Sequence, residues 1–465
     1  MFSRREVIRA LGALPFIPHL RAQQGALDLD HRALGRTGRW VTPLGLGGQA
    51  SLQWTAAGID PADIIVRAVE LGVNYLDSAN AYGPSQANYG EAFRRLHLSP
   101  ADAEYNAALR DRLYLASKTG QRYARTTQAN AATAIRDLRT SMTTFFGDGR
   151  GFIPQGAYID CFQIHNLSRK EEVDQIYEGV ETRGRKMPDR IGALAGLLDF
   201  RDGTNYTGLN PEGNIWIRHI GITGHQSSPV LMYALQRDEL NIIDTVLVGV
   251  NANDRRAACH QNNVIPLARA KGLGIIAMKV LADGVFYGKE ARFSRASDDV
   301  IRTVGKAGVV DPYEFIRYPL AIPGVSVAII GIGAISRENP AADQLVYNLT
   351  CALASDPPSA AEMRRIESDV ATVHGINTNY FNERRTGITQ LASVSAEQDG
   401  DRVVVKWDTA FAGPEPIRSY DIFAGEKRLM QIPYRPQTTL APHVAWITTE
   451  TAQSGPIRVV AAGNA

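Results

Sequence analysis

Disulfides are the first thing this chain lacks. Cys161, Cys259 and Cys351 are the only cysteines among 465 residues, too few and too scattered for a disulfide scaffold, a four-cysteine cluster or a zinc knuckle. An excess of one charge is also missing: 50 Lys and Arg face 48 Asp and Glu, and a formal net charge of +2 excludes nucleic-acid binding as a default. No apolar run approaches the ~18 residues that cross a bilayer, so no membrane span is expected. No G-x-G-x-x-G joins an early strand to a helix, which argues against a Rossmann domain; the glycines at Gly45, Gly47 and Gly48 have the wrong spacing. What is present is an ordinary globular composition, 44% apolar and 21% charged, on a chain about three times the ~150-residue domain prior. Two or three folding units are expected.

The ends differ from the middle. Ser3-Arg4-Arg5 ahead of the modest apolar stretch from Val7 to Leu20 resembles a twin-arginine export signal, expected over residues 1–24 with cleavage near Ala22. Such signals carry proteins across the membrane already folded, so the expected location is periplasmic or secreted. The plain alternative is a frayed basic terminus. After about Asn377 a polar, turn-rich linker (377–387) leads to short alternating runs at Leu391–Ser395, Arg402–Trp407, Ile417–Phe423, Val444–Ile447 and Ile457–Val460. This pattern predicts a small β-sandwich over 388–465, and Trp407 in VVVKW with Tyr420 in IRSYDIF resembles the core of fibronectin type III modules. Any other small sandwich would bury the same aromatics. No catalytic grouping falls in it, and a carbohydrate or a protein is its expected partner.

Between the ends, over 30–376, eight runs of strand length recur: Leu44–Gly47, Val73–Asp77, Leu113–Ser117, Tyr158–His165, Ile217–Thr223, Ile243–Val250, Leu273–Lys279 and Val325–Gly331. They are continuous rather than alternating, as suits parallel strands covered on both faces. Helix starts separate them: Asp60-Pro61, Ser228-Pro229, and Ser168 with Glu171 as a capping box. The fold expected is α/β, a (β/α)8 TIM barrel followed by the all-β sandwich.

In such a barrel, chemistry gathers where strands end at the carboxyl face. The second strand ends at Asp77, with Tyr82 shortly after in DSANAYG; Lys118 lies just past the third in LASKTG; His165 ends the fourth in DCFQIHN. Taken singly, Tyr82 is equally a loop aromatic, Lys118 a solvated charge, Asp77 a helix cap and His165 a core histidine. Together they bring a phenol, an ammonium, a carboxylate and an imidazole to one rim. A carboxylate ending an apolar strand costs several kcal/mol unless a cation such as Lys118 sits beside it. Carbonyl reduction by hydride needs this set. Charge grows on the carbonyl oxygen, and a donor must already point there. A phenol with an ordinary pKa of ~10 is the donor, Lys118 favours phenolate, Asp77 holds Lys118 charged, and a neutral His165 orients the substrate oxygen.

GVNYLDSANAYG, LYLASKTG and YIDCFQIHN, in this order, resemble the aldo-keto reductases over about residues 30–375, beginning with RALGRTGRWVTPLGLGG, similar to the hairpin that floors that barrel, and including GIIAMKVLADG at the seventh strand. The resemblance implies an NAD(P)H-dependent enzyme acting on a small carbonyl or alcohol, with Tyr82 as proton donor, Lys118 and Asp77 as its tuning pair, and His165 orienting the substrate. It implies NADP, with NAD as the other possibility, bound without a Rossmann fold. Cofactor contacts fall on Gly47 and Gly48 after the first strand, Asn166 beside the histidine, Thr223, Asn251, Lys279 and the backbone around Gly284, Gly331, Asn348 for adenine, and Arg337, which either grips a 2′-phosphate or is simply solvated. Two departures stand out: Thr223-Gly224-His225 replaces the common Ser-Asn, and the usual glutamine of the sixth strand is absent. Two stretches read as insertions, Phe145–Ala157 and Leu198–Gly213.

Export poses a physical difficulty, since NADP is scarce outside the cytoplasm. A dinucleotide carried bound and recycled in place, with sugars as substrates, would meet it. One rival reading is a secreted glycoside hydrolase, which needs two carboxylates flanking the bond; only Asp77 can be placed on the rim, and Lys118 engages it. A barrel that binds a dinucleotide or carbohydrate without catalysis is the other.

Overall fold

The computed structural model describes residues 30–120, 131–185, 189–256, 259–306, 311–354, 356–376, 378–383, 387–452 and 455–463; the export signal read in residues 1–24 lies outside them. Eight parallel strands close into a barrel: β1 (Leu44–Gly47), β2 (Tyr75–Asp77), β3 (Tyr114–Thr119), β4 (Ile159–Ile164), β5 (Ile217–Gly224), β6 (Ile243–Gly249), β7 (Gly274–Met278) and β8 (Val325–Ile330). Neighbours follow chain order, and β8 closes on β1. Nearly every strand residue is buried, which is why the sequence shows continuous apolar runs with no period-2 pattern. β3 runs further than the sequence indicated. Pairing with β4 continues to Thr119 opposite Ile164, so Lys118 sits inside the strand and opposite Gln163.

The strand-to-helix turns follow local chemistry. Asp60 accepts the N–H of Ala62 at 2.9 Å and Pro61 opens the helix Pro61–Glu70. Ser228 and Pro229 open the helix Ser228–Arg237. The helix expected from Ser168 begins later, at Lys170, so its third position is Glu172, not Glu171. The Glu172 carboxylate accepts the N–H groups of Ser168 (2.7 Å) and Arg169 (3.1 Å), while Glu171 points outward.

The floor is a short hairpin, Arg32–Ala33 paired with Trp40–Val41, whose Leu34 and Val41 pack beneath Tyr75 and Tyr114 in the barrel interior. Both presumed insertions lead into the amino ends of β4 and β5, beneath the barrel and away from the carboxyl rim. Leu198 belongs to the helix Ala193–Asp202, and the loop after it is gathered on the buried Asp199 carboxylate, which accepts from the Thr207 N–H (2.8 Å) and from the hydroxyls of Thr204 (2.7 Å) and Thr207 (2.6 Å). Among the described residues no helix is long and apolar enough to cross a membrane.

The C-terminal unit has two antiparallel three-stranded sheets: β9 (Val394–Asp399), β10 (Arg402–Trp407) and β13 (His443–Thr448) in one, β12 (Lys427–Pro433), β11 (Ser419–Ala424) and β14 (Ile457–Ala462) in the other. Trp407 and Tyr420 meet in its core with ring centroids 5.6 Å apart. β12 was not legible in the sequence. As an edge strand reading KRLMQIP, it is largely exposed and has no clean alternation.

This unit is fastened to the barrel by the turns after β6. The Asn263 side chain exchanges two hydrogen bonds with Ala412, donating to its carbonyl at 2.9 Å and accepting its N–H at 2.8 Å, and Arg255 pairs with Glu415 at 3.0 Å. Asp254 organises these turns from a buried position by accepting the N–H groups of His260 (3.3 Å) and Gln261 (3.1 Å). Burial pushes its carboxyl up to about 7. A folded pKa above the unfolded value means that the proton stabilises the fold fully below about pH 4; this contribution fades as pH rises and is gone by about pH 7. Asp254→Asn, neutral throughout, should therefore gain on the parent across this window, by up to about 4 kcal/mol. Melting curves of both proteins from acid to neutral pH check this, and a difference that does not change with pH would refute it.

Candidate active site

Asp77, Lys118 and His165 are delivered by three adjoining strands. Asp77 closes β2, Lys118 is the penultimate residue of β3, and His165 follows β4, its N–H donating to the Thr119 carbonyl at 2.9 Å. Tyr82 lies on the turn before the helix Ser85–Arg95. The four side chains meet. Lys118 Nζ lies 2.5 Å from Asp77 Oδ1 and donates to the Ser78 carbonyl at 2.9 Å. Its ammonium stands 4.7 Å from the centroid of the Tyr82 ring. Tyr82 Oη is 3.3 Å from His165 Nε2, with the rings edge to face. Asp77, Lys118 and Tyr82 are each at least 94% buried.

Electrostatics refine the sequence argument. Burial pushes the Asp77 carboxyl up, and the charge of Lys118 opposes this only in part. Burial also opposes the charge on Lys118, but Asp77 and then Tyr82 outweigh it and hold the ammonium above its ordinary range. For Tyr82 the expectation was that Lys118 would favour phenolate. Lys118 does pull in that direction, yet burial is the larger effect and Asp77 adds to it, so the phenol rises above its ordinary value. Tyr82 is a protonated donor throughout the neutral range.

Beside these residues an open cleft runs along the carboxyl rim. Gly47, Gly48, Lys279, Gly284, Gly331 and Asn348 line it, as do Asp77 and Tyr82. At Gly48 a Cβ would fall 2.2 Å from the Asp77 carbonyl oxygen, so only glycine lets the chain cross there. Other residues read from the sequence lie elsewhere. Thr223 is buried behind the rim, where its hydroxyl accepts the Asn166 N–H at 2.8 Å and helps hold Asn166 at a left-handed φ of 58°. The Asn166 Oδ1 and the His225 Nδ1 are buried with no hydrogen-bond partner among the described residues. Burial, then the nearby Lys279 and His165, keeps His225 well below the usual histidine range, so it is neutral. Asn251 spends its amide on Asn379 and the Lys279 carbonyl rather than on the cleft. Arg337 stands outside the lining, half exposed and paired with Glu70.

Sequence reasoning missed several lining groups. Ser51 Oγ accepts the Ile332 N–H at 2.8 Å, and Gln344 Oε1 accepts the N–H groups of Gly333 (2.7 Å) and Ala334 (3.1 Å); together they shape the wall after β8. Asp283 and Asp299 join Asp77 as cleft carboxylates, correcting the expectation that Asp77 stands alone. Each is bound to a cation: Asp283 to Lys279 (3.1 Å) and Lys289 (3.3 Å), Asp299 to Arg292 (2.9 Å). Among the described residues, no pair of unengaged acids is left in the cleft lining for a glycosidase mechanism.

A closed parallel barrel with a buried phenol, ammonium, carboxylate and imidazole at its carboxyl rim defines an oxidoreductase-type α/β barrel. The chain belongs to the aldo/keto reductase family, whose profile matches residues 43–340. The family acts on small carbonyl or alcohol substrates and generally uses NAD(P)H. No curated protein matches the chain. Among solved structures, it is similar to an aldo-keto reductase from Pseudomonas aeruginosa, 22% identical over 71% of this chain and 97% of the other, with a TM-score of 0.44. It is also similar to the holo form of an aldo-keto reductase from Bacillus halodurans, 19% identical over 73% of this chain and 96% of the other, with a TM-score of 0.47.

Proposed function

We propose that the protein reduces an aldehyde or ketone, or oxidises the corresponding alcohol, with NADP or NAD as the hydride carrier. The observation that carries this reading is the meeting of Tyr82, Lys118, Asp77 and His165 beside a cleft that Asp77 and Tyr82 line. The residues present fit such a cofactor: the orphaned Asn166 Oδ1 is a buried acceptor lacking a donor such as a carboxamide, Gly47, Gly48 and Gly331 let a ligand approach the backbone, Lys279 offers a cation, and Asn348 a polar group further along. A bound nicotinamide would supply the hydride. His165 would hold the substrate oxygen beside the Tyr82 hydroxyl, and Tyr82 would give its proton to that oxygen as negative charge develops there. Lys118 stabilises the phenolate left behind, and Asp77 keeps Lys118 in place and charged. Return of the proton from solvent resets the site.

A preference for NADP rests on Arg337 releasing Glu70 to meet a 2′-phosphate. Titration with NADP and NAD, followed by tryptophan fluorescence, tests both cofactor binding and this preference. Trp54 is the useful reporter because it follows the cleft-lining turn Ala50–Leu52, whereas Trp216 packs on Phe200 at the foot of the barrel. Saturable quenching by either nucleotide supports the reading; none with either one overturns it.

We further propose that the twin-arginine motif exports the folded, dinucleotide-loaded protein, that sugars are its substrate class, and that the two-sheet C-terminal unit is fibronectin type III-like, supported by its Trp407–Tyr420 core. Replacing Arg4 and Arg5 by lysine should retain the protein in the cytoplasm; export unaffected by the change would sink the assignment.

A further inference from the structure

The loop after β7 is strained, and its anchor comes from a distant part of the chain. Lys279 (φ 58°), Ala282 (φ 47°) and Asp283 (φ 58°) all adopt the left-handed region, which is unfavourable for residues with a Cβ and persists only where outside contacts impose it. Those contacts centre on Asp283. Its Oδ1 accepts from Lys279 Nζ at 3.1 Å, and its Oδ2 accepts from the Tyr380 hydroxyl at 2.7 Å and from Lys289 at 3.3 Å. On the other side, Lys279 Nζ reaches Gln49 Oε1 at 3.4 Å. Gln49, Lys279 and Asp283 all line the cleft, so a hydrogen-bonded bar runs along its edge and ends on Tyr380.

Tyr380 belongs to residues 378–383, read from the sequence as linker. The described residues there are tied down. Asn379 and Asn251 exchange reciprocal amide hydrogen bonds of 2.9 and 3.1 Å, Thr378 Oγ1 accepts from Asn253 at 2.8 Å, and the Glu383 N–H donates to the Gln226 carbonyl at 3.0 Å. The Phe381 ring fills the space left by the missing side chain of Gly249 and lies 6.0 Å from the His225 ring.

We propose that Tyr380 is a positioning residue for the cleft: through Asp283 it fixes the Lys279 ammonium, and with it the loop 279–289, where the phosphate groups of an anionic ligand meet them. Burial and the adjoining carboxylate keep the phenol protonated, so it remains a donor to Asp283. The position of the loop is a property of the unliganded protein; the ligand's being a dinucleotide rests on the function proposed above.

Full-length Tyr380→Phe keeps the ring and removes only the hydroxyl. Hydrogen exchange without nucleotide should quicken about tenfold at amides 280–289 and stay unchanged in β2 and β3, and NADP affinity measured by fluorescence should fall about tenfold. In an Asp283→Asn background the same substitution should have little further effect, because the two side chains act through one bond. Unchanged exchange in the loop overturns the proposal, as do additive effects in the double variant, which would mean that the ring acts by packing alone. Failure of the parent to bind NADP or NAD overturns the dinucleotide reading, and the exchange data still decide the role of Tyr380.

Discussion

Tyr82→Phe should lower the rate of carbonyl reduction by about 10²- to 10⁴-fold while dinucleotide still binds. The ring is almost wholly buried beside Lys118 and His165, so phenylalanine keeps the packing and removes only the proton that the substrate oxygen must receive. The parent's pH profile is the companion expectation. Burial raises the phenol above its ordinary ~10, so reduction should be level through the neutral range and fall only in strong alkali. Steady-state rates with NADPH and a simple aldehyde check both; a variant that reduces as fast as the parent removes Tyr82 from the mechanism.

The second large effect is that of Lys118→Met, which acts on stability and activity together. Asp77 is 2% exposed and, among the described residues, its cation is Lys118, bound at 2.5 Å. Methionine fills similar space but strands the carboxylate, at a cost of about 3–5 kcal/mol, which Asp77 meets in part by taking up a proton. Reduction should fall at least about 10²-fold, since nothing then stabilises the Tyr82 phenolate. The double variant Asp77→Leu/Lys118→Met separates the two roles: with the buried charge gone, urea stability should recover while activity stays lost. Recovery of both would mean that the pair serves only the fold.

The barrel was legible because parallel strands covered on both faces must be apolar throughout, and β1 and β7 read that way with little interference. Asp77, Lys118 and His165 were legible for the opposite reason: ionisable residues at the ends of apolar strands are costly without a partner, and three in succession had to share one. Tyr82 followed from its place on the turn after β2. The rest depended on contacts distant in sequence. Asp283 and Tyr380 are 97 residues apart, and nothing local to either signals their bond. Asn251 and Arg337 have the residue types a dinucleotide site needs, but the first is occupied by Asn379 and the second by Glu70. The direction of the Tyr82 shift also needed coordinates, because burial and the pull of Lys118 oppose each other and only geometry tells which prevails.

In the proposed reaction, hydride passes directly to a carbonyl held at Tyr82 and His165. Incubating the protein with an aldehyde and NADPH deuterated at either face of the nicotinamide C4, then reading the alcohol by mass spectrometry, tests it most directly. The alcohol should carry one deuteron from one face only; no alcohol, or alcohol unlabelled from both, would mean that no hydride passes from the nicotinamide to the carbonyl.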